Sequence, residues 1–511
     1  MTTALIVVPI GGALLLWLVP FSRFWTGSIA FLISLVEVGL WIDALARFDF
    51  SQGLQFEAQQ TWFSDLNVSY HVGLYGFSLW LVGLTVVVMA CAVGYAFWTG
   101  RERARAYFGL MLLLTGAVVG VFASLDLLLF YAFWEGMLIP LYILVGVWGG
   151  PGRLAATLKF VIYTMVGSLL MLASIIVFGL QQGTFDLISS GTSSSIWIFL
   201  GFVAAFAVKA PLFPLHGWLP DAYRESSPEV AGVLSGVISK AAAFGFLAIA
   251  IRKFPGPTAD LRTTILVLAA IGLVYGSFIA FRAPDFRGVV AYSSLAQMGL
   301  ITLGLFANNS LGFDGAVLQM INHGLISAAL FLLAGSVIRR TTTDDFAFLG
   351  GMAKGRPVLA TVLMTTGIIA LAVPGSSAFA GEFLILAGVF QEGWAWGVIG
   401  AGAIVLAAMY MLRLISAVLH RQRGGLVSDD ALDLRPAELG VIGPLVVSLL
   451  VLSAWPAAIS GHSFPTAAPS PVPAAAQAAR VRCTEIPTQP RTNKCMTLPT
   501  ARSSVQGVMT P

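Results

Sequence analysis

Apolar runs long enough to cross a membrane recur along almost all of this 511-residue sequence, and no other feature constrains its fold as strongly. A transmembrane helix needs about 20 predominantly apolar residues. The chain is 58% hydrophobic and only 10% charged, whereas about 25% of the residues in a soluble domain are charged. Because so few charges could not cover the surface of a soluble protein of this length, we predict an all-α, polytopic membrane protein.

The positions of the apolar runs predict about fourteen transmembrane helices. They lie at 4–20, 26–45, 78–98, 107–124, 126–148, 155–180, 195–216, 227–252, 263–282, 287–306, 313–337, 357–391 (interrupted), 395–418 and 437–460. The first run has no basic leader and is followed directly by the second, so we interpret it as a retained helix and not as a cleaved signal peptide. From 461 to 511, Pro, Ala, Ser and Thr occur without periodicity, which predicts a disordered tail.

Lys and Arg residues are concentrated in alternate loops, and this asymmetry predicts the orientation of the chain. By the positive-inside rule the basic loops, such as the one with Arg101, Arg103 and Arg105, lie on the inner side. The opposite loops are poor in basic residues apart from Arg47 and a cluster around Arg252. Both termini are therefore predicted on the outer or lumenal side. Nothing in the sequence resembles a nucleic-acid-binding patch, so no nucleic-acid partner is expected.

Five ionisable residues lie within the predicted membrane helices. They are Glu135, Lys209, Lys240, His323 and Glu382. A charged side chain at the centre of a bilayer costs on the order of 2.5–3.5 kcal/mol, so such residues face the bundle interior, pair, or meet water. For any one of them, a structural ion pair that holds two helices together explains its presence as well as a functional role does. As a set, two acids, two amines and a histidine on five helices favour a proton relay, with water bridging the gaps.

Two of the predicted helices contain proline within their apolar runs. The seventh holds Lys209-Ala-Pro-Leu-Phe-Pro214 and the twelfth holds Val373-Pro-Gly-Ser-Ser377. Proline breaks the helical hydrogen-bond pattern, and a broken helix at membrane depth needs protein or a wet cavity around it. Because the two breaks lie five helices apart, we predict repeats of five helices, at 107–252 and 263–418. An odd number of helices per repeat makes the repeats inverted. The predicted helices 1–3 occupy 1–106, and the last helix occupies 437–460.

Several long motifs resemble the antiporter-like, proton-pumping subunits of complex I. The similarity covers about residues 70–420, and its motifs are Phe133-Trp-Glu-Gly-Met-Leu-Ile-Pro-Leu-Tyr142, Lys209-Ala-Pro-Leu-Phe-Pro-Leu-His-Gly-Trp-Leu-Pro-Asp-Ala222, Ala291-Tyr-Ser-Ser-Leu-Ala-Gln-Met-Gly299, Asn322-His-Gly-Leu-Ile-Ser-Ala-Ala-Leu-Phe331 and Gly381-Glu-Phe-Leu-Ile-Leu386. Within this family the chain looks most like the M-type subunit, which corresponds to the mitochondrial subunit 4 and the cyanobacterial D-type chain. Glu382 discriminates, because the other branches usually place Lys at that site.

The resemblance implies a fourteen-helix fold with inverted five-helix repeats and a central hydrophilic axis. Glu135 and Lys209 would form the family's ion pair, Lys240 would be the central relay, and Glu382 would be the terminal gate towards the outer side. His323 would lie on or beside this axis. These roles are implied by the resemblance and do not follow from composition or spacing.

The sequence also departs from the family pattern at two places. The run Tyr223-Arg-Glu-Ser-Ser-Pro228 lacks a second histidine that the family usually carries, and Tyr75 replaces the aspartate of the family's Asp-Gly. Both departures could belong to a specialised branch with a different electron donor. His216 matches the first loop histidine. It could feed protons into the seventh helix, although a capping role is equally consistent with the sequence.

These observations predict a proton-translocating subunit of an NAD(P)H- or ferredoxin:quinone oxidoreductase. The chain has no glycine-rich nucleotide turn and no cysteine cluster, so no cofactor or metal is expected in it. Flavin, iron–sulfur centres and quinone are expected on partner subunits, and homologous antiporter-like chains are expected as neighbours in a bacterial plasma membrane or a thylakoid. The alternatives are a subunit of a multisubunit Na⁺/H⁺ antiporter and the membrane arm of a related hydrogenase complex.

Overall fold

The computed structural model describes residues 1–428 and 430–465, and helices account for most of them. In chain order the helices are α1 (Thr2–Leu18), α2 (Arg23–Arg47), α3 (Gly76–Thr99), α4 (Ala104–Ala123), α5 (Leu127–Trp148), α6 (Arg153–Gln182), α7a (Ile196–Lys209), α7b (Leu219–Glu225), α8 (Pro228–Ile251), α9 (Pro255–Arg282), α10 (Phe286–Ala307), α11 (Ser310–Thr341), α12a (Pro357–Ala370), α12b (Ser377–Glu392), α13 (Trp394–His420), α14 (Pro436–Ala454) and α15 (Ala457–Ser460).

Eleven of the described helices are long and apolar enough to cross a membrane, judged by length and composition. Three shorter apolar helices are α1, α7a and α12a. The prediction of a helical, polytopic membrane protein is therefore confirmed. The count of about fourteen spans stays a prediction.

The seventh and twelfth helices are broken where the sequence predicted. α7a ends at Lys209, and Pro211 and Pro214 keep the chain out of a helix until α7b begins. α12a ends at Ala370, and the chain turns through Gly375, which has a φ of 95° that glycine adopts without strain. The hydroxyl of Ser376 then caps α12b by accepting a hydrogen bond from the Phe379 N–H. Both breaks therefore have local causes.

The same local structure occurs at equivalent points of the two predicted repeats. Asp126 precedes α5 and pairs in an antiparallel bridge with Asp186, and Asp285 precedes α10 and pairs in the same way with Asp345. Each aspartate caps its helix, because Asp126 accepts from the backbone of α5 and Asp285 from that of α10. Five helices separate the two bridges, so they lie at opposite ends of the bundle. This similarity supports the prediction of an inverted repeat.

A β-hairpin between α2 and α3 was missing from the sequence-based prediction. Its strands, β1 (Gln55–Phe63) and β2 (Val68–Leu74), pair antiparallel around a turn in which Asn67 has a φ of 50°. β2 is mostly buried and is joined to the start of α5, because the Ser69 N–H donates to Asp126 at 3.1 Å. The hairpin therefore belongs to the same end of the bundle as the bridge of the first repeat.

The predicted disordered tail begins too early. α14 ends at Ala454 because Pro456 cannot continue its hydrogen bonding, and the short helix α15 follows. After α15, the Phe77 N–H at the start of α3 donates to the Ser463 carbonyl at 2.9 Å, and the Phe464 ring lies 5.5 Å from the Phe77 ring. The prediction of disorder is thus wrong for 461–465, and 466–511 lie outside the described residues.

Candidate functional site

Four of the five ionisable residues predicted from the sequence are buried in the bundle. Lys209 is 1% exposed, Lys240 is 0%, His323 is 4% and Glu382 is 2%. Glu135, on α5, is half-buried. The other four lie at the end of α7a, in α8, in α11 and near the start of α12b respectively. They form two groups with different surroundings.

Lys240 and His323 are in direct contact at the centre of the bundle. The Lys240 Nζ lies 2.8 Å from His323 Nδ1, 2.5 Å from the Ser235 carbonyl oxygen and 3.3 Å from the Ser239 hydroxyl. A hydrogen bond between an amine and an imidazole requires that one of them supplies the proton and the other a lone pair. The pair therefore shares a proton, and His323 Nε2 has no hydrogen-bond partner.

Two local features of α8 bring Lys240 to this position. The segment Leu234–Ile238 is a π-helical turn, in which the Ser239 N–H donates to the Leu234 carbonyl. The Ser239 N–H is thus directed away from the Ser235 carbonyl, which accepts from the Ser239 hydroxyl and from Lys240 instead. Opposite it, Gly236 and Gly324 pack against each other, and a Cβ on Gly324 would lie 2.6 Å from the Gly236 carbonyl oxygen. Both glycines are therefore needed for the close approach of α8 and α11.

Glu382 is held by the side-chain amides of two glutamines. The Gln297 Nε2 donates to Glu382 Oε1 at 2.9 Å, and the Gln319 Nε2 donates to Gln297 Oε1 at 2.8 Å and lies 3.4 Å from Glu382 Oε1. Glu382 Oε2 is buried and has no hydrogen-bond partner. The sequence-based prediction missed both glutamines, although they are polar residues in otherwise apolar helices, which is a signal that could have found them.

A cavity connects His323 to Glu382. Its polar lining also includes Gln297, Gln319, Ser293, Ser327 and Tyr410. About 20 Å³ of it is available to the centre of a water molecule, which is enough to hold one. The two unpartnered atoms, His323 Nε2 and Glu382 Oε2, belong to residues that line this same cavity. Lys240, His323 and Glu382 therefore form a series with one water-sized gap.

Lys209 and Glu135 do not form the ion pair that the resemblance implied. The Lys209 Nζ lies 4.2 Å from the centroid of the Trp134 ring and 3.5 Å from the Trp134 carbonyl oxygen. Among the described residues, the ion pairs within 4.0 Å do not include Glu135 with Lys209. In this conformation Lys209 is instead bound by the indole ring and the carbonyl of the residue beside Glu135, and the ion pair stays a prediction.

Aromatic side chains occupy the contact between α5, α7a and α8. The Phe206 ring lies 5.5 Å from the Trp134 ring and 5.4 Å from the Phe246 ring. In the described part of the chain no hydrogen bond links Lys209 to Lys240. The two lysines therefore lie in separate environments, one aromatic and one polar.

His216 lies in the loop after α7a, away from the buried residues. Its ring lies 5.6 Å from the Phe213 ring and 5.1 Å from the Tyr275 ring. Burial and the positive charge of Lys159 both lower the pKa of His216, which keeps the ring neutral over a wider pH range. Lys159 itself pairs with Asp221 at 2.8 Å. The structure places His216 at the end of the bundle and not on the path from Lys240 to Glu382.

A further buried acid, Glu37 in α2, was missed from the sequence. It is 0% exposed, and neither of its carboxyl oxygens has a hydrogen-bond partner. Its signal was an acid in the middle of the second predicted helix, whereas the other acid of that run, Asp43, lies near its end. No group of three or more His, Cys, Asp or Glu side chains able to hold a metal ion occurs within residues 1–428 and 430–465.

Broken helices at equivalent positions, together with buried ionisable residues beside them, define a membrane protein of the ion-translocating class. Residues 124–407 match the family described as the transmembrane family of NADH:quinone oxidoreductases and Mrp antiporters. The chain belongs to this family.

Three curated relatives have closely similar lengths. The "NADH-quinone oxidoreductase subunit M" of Rhodobacter capsulatus is 34% identical over 86% of this chain and 88% of its own. The protein of the same name from Mycobacterium tuberculosis is 35% identical over 88% of this chain and 90% of its own. The "NADH-ubiquinone oxidoreductase chain 4" of Marchantia polymorpha is 33% identical over 89% and 93%.

Solved structures show the same fold. A chain of respiratory complex I from Thermus thermophilus aligns with a TM-score of 0.83 at 30% identity, over 91% of this chain and 98% of that one. A chain of the Mrp complex from Dietzia aligns with a TM-score of 0.80 at 21% identity, over 90% and 95%. The second likeness extends to the fold alone.

Proposed function

We propose that this chain is a proton-translocating subunit in the membrane arm of an NAD(P)H- or ferredoxin:quinone oxidoreductase. It would couple quinone reduction elsewhere in the complex to proton pumping. The observation that carries the proposal is the series from Lys240 through His323 and the cavity to Glu382. The relatives named NADH-quinone oxidoreductase subunit M support the choice of complex.

A proton would move from Lys240, in α8 of the first repeat, to His323 and Glu382 in the second repeat. Lys240 donates its proton to His323 Nδ1, and His323 releases the proton on Nε2 to water in the cavity. Glu382 Oε2, which has no other donor, accepts a proton from that water. One proton thereby moves across the water-sized gap. The side chains of the path need only change rotamer, and their helices stay in place. The amides of Gln297 and Gln319 keep Glu382 Oε1 fixed, so Oε2 faces the water.

The first repeat would act as the switch. Lys209 leaves the Trp134 ring and pairs with Glu135, and this movement changes the charge near Lys240. His216 is the candidate for proton uptake at the inner end, because its ring stays neutral and able to accept a proton. The ion pair implied by the family resemblance is then the second state of this switch.

The remaining properties follow from membership in such a complex. Flavin, iron–sulfur centres and quinone would be bound by partner subunits, and other antiporter-like chains would be neighbours in the membrane. The host membrane would be a bacterial plasma membrane or a thylakoid, with both termini on the outer or lumenal side.

The test is pumping by the intact complex carrying Lys240→Met. We expect initial proton uptake into proteoliposomes, measured with a pH-sensitive dye during quinone reduction, to fall by more than about tenfold. Lys354→Met is the matched control, because Lys354 is an exposed loop lysine, and it should pump normally. Normal pumping by the Lys240 variant in an assembled complex would contradict the proposal.

Co-purification decides between the proposal and its alternatives. Flavin and iron–sulfur chains are expected in the complex isolated through this chain. A complex without them that exchanges Na⁺ for protons would instead identify a multisubunit antiporter. A nickel-containing partner would identify the arm of a hydrogenase.

A further inference from the structure

A basic groove lies between the α1–α2 connection and the α3–α4 connection. Its volume is about 770 Å³. The side chains that define it are those of Trp17, Phe21, Arg23, Arg101, Arg103 and Arg105. No residue of the proton path contributes to it, so the proposed function leaves the groove unexplained.

Only one of the four arginines in this groove is neutralised. Arg101 pairs with the buried Glu229 at 2.5 Å. Among the described residues, Arg23, Arg103 and Arg105 form no ion pair within 4.0 Å. Glu102 is the single carboxylate of the lining. Three guanidinium groups against one carboxylate leave two positive charges in the groove.

The backbone holds these guanidinium groups at the groove. Gly100, with a φ of 73°, ends α3, and a Cβ at that position would lie 2.4 Å from Nη2 of Arg23. Arg23 therefore folds over the end of α3 because glycine leaves the space. Arg103 has a φ of 52° and precedes α4, whose first residues line the groove. The first N–H groups of a helix have no intrahelical acceptor, so they add positive potential there.

The surface beside the groove is strongly apolar. Leu18 is 80% exposed, Phe24 is 64% and Trp25 is 60%. In a membrane protein such side chains face lipid, and tryptophan in particular is enriched at the level of the headgroups. Two surplus positive charges thus adjoin a surface suited to acyl chains.

We propose that this groove binds the headgroup of an anionic phospholipid with two phosphates. The guanidinium group is planar and hydrogen-bonds phosphate oxygens in pairs, and two phosphates match the two surplus charges. A basic pocket beside membrane helices is suited to such headgroups. The adjoining apolar side chains favour a lipid over an acidic segment of a neighbouring subunit, which would leave that surface uncovered. The bound lipid would connect α1–α2 to α3–α4 at the end of the bundle.

The experiment measures binding of a defined lipid to the intact, delipidated complex in detergent. The probe is tetraoleoyl diphosphatidylglycerol, and dioleoyl phosphatidylcholine is the zwitterionic comparison. We expect the triple variant R23Q/R103Q/R105Q to bind the diphosphatidyl lipid about tenfold more weakly at this site, by native mass spectrometry. The control triple variant R47Q/R282Q/R421Q removes the same number of charges elsewhere and should bind like the wild type.

Equal losses in both triple variants would show that only net charge matters and would overturn the proposal. So would unchanged binding in the groove variant. A second measurement needs no variant: a diphosphatidylglycerol with a photoreactive acyl chain should label peptides containing Leu18, Phe24 or Trp25 in the wild-type complex. Absence of label there, or crosslinking of the arginines to an acidic segment of another subunit, would also overturn it.

Discussion

Glu382 of the second repeat and Lys209 of the first, which lie beside the two helix breaks, have opposite surroundings. In the second repeat Glu382 is oriented by two amides beside a cavity that can hold water, and it is one gap away from His323. In the first repeat Lys209 lies against the Trp134 ring, with Phe206 packed on the same ring. The surroundings of Glu382 are therefore polar and connected to His323, and those of Lys209 are aromatic and closed.

This difference indicates where the control of proton movement lies. A cation held over a buried indole is stabilised by about 2 kcal/mol, so Lys209 leaves only when a comparable interaction, such as a pair with Glu135, replaces it. The path from Lys240 to Glu382 requires no such exchange, because Lys240 already contacts His323, and His323 and Glu382 line the same cavity. The contact between α5 and α7a thus holds the two states, and the path from Lys240 through His323 to Glu382 conducts the proton.

The largest expected effect comes from replacing Glu382, the acid at the end of the polar path. In the assembled complex, Glu382→Gln removes the carboxylate that faces the cavity, and we expect the pumping rate in proteoliposomes to fall more than about tenfold. Glu392→Gln is the matched control, because Glu392 also lies in α12b but pairs with Arg262 at the helix end. A Glu382→Gln complex that pumps as well as the Glu392 variant would show that the cavity is not on the path.

A smaller effect is expected from replacing Trp134, whose ring contacts Lys209. Trp134→Leu removes the ring that holds Lys209, so the balance should shift towards the pair with Glu135, and pumping should change by about threefold to tenfold. Trp148→Leu serves as the control, since Trp148 also lies in α5 but packs against the Tyr107 ring at 5.1 Å instead of against Lys209. The measurement is the ratio of protons pumped to quinone reduced, and equal ratios in both variants would place the switch elsewhere.

The smallest expected effect concerns the two aspartate bridges, which differ in the side chain that supports them. Asp285 receives two hydrogen bonds from Arg224, at 2.7 and 2.9 Å, whereas Asp186 is bonded to the buried ring of His71. His71 also contacts Glu57 of the hairpin at 2.8 Å. Burial raises the pKa of Asp186, but hydrogen bonds from Ser189 and His71 outweigh it and leave that pKa below its usual value.

A carboxyl with a lowered pKa in the folded state stabilises the fold above its unfolded pKa of about 4, and the stabilisation is lost as the pH falls through the folded pKa. His71→Leu removes one donor and raises the pKa of Asp186. Amide protection of 68–74 should then be lost at a higher pH than in the wild type, with a cost on the order of 1 kcal/mol. Arg224→Leu acts on the other bridge and should leave the protection of 68–74 unchanged. Identical pH profiles for the His71 variant and the wild type would contradict this assignment.

The sequence predicted those features that depend on local composition. Apolar runs identified the helical membrane class, and the prolines near Lys209 and Val373 located both breaks, because proline acts on its own helix. The five ionisable residues were visible because charge within an apolar run is costly. Family motifs then identified Glu382 as the acid of the second repeat.

Features that depend on spatial neighbours were not predictable in this way. Gln297 and Gln319 are marked in the sequence as polar residues of apolar helices, but their role depends on both facing Glu382, which only the structure shows. The choice of Lys209 between Trp134 and Glu135 depends on a rotamer and on two competing partners on one turn of α5. The π-helical turn before Lys240 has no proline or glycine pattern that distinguishes it from ordinary helix.

The packing of Ser463 and Phe464 against Phe77 has a consequence for how the protein is made. The start of α3 is translated early, but the carbonyl that accepts its Phe77 N–H and the ring that covers it come from the very end of the described chain. A Cβ on Gly76 would lie 2.4 Å from the His462 carbonyl oxygen, so the fit leaves no room for a substitute. A chain whose translation stops before residue 463 would thus leave the start of α3 uncovered. The start of α3 is therefore covered only after residues 463 and 464 have been translated.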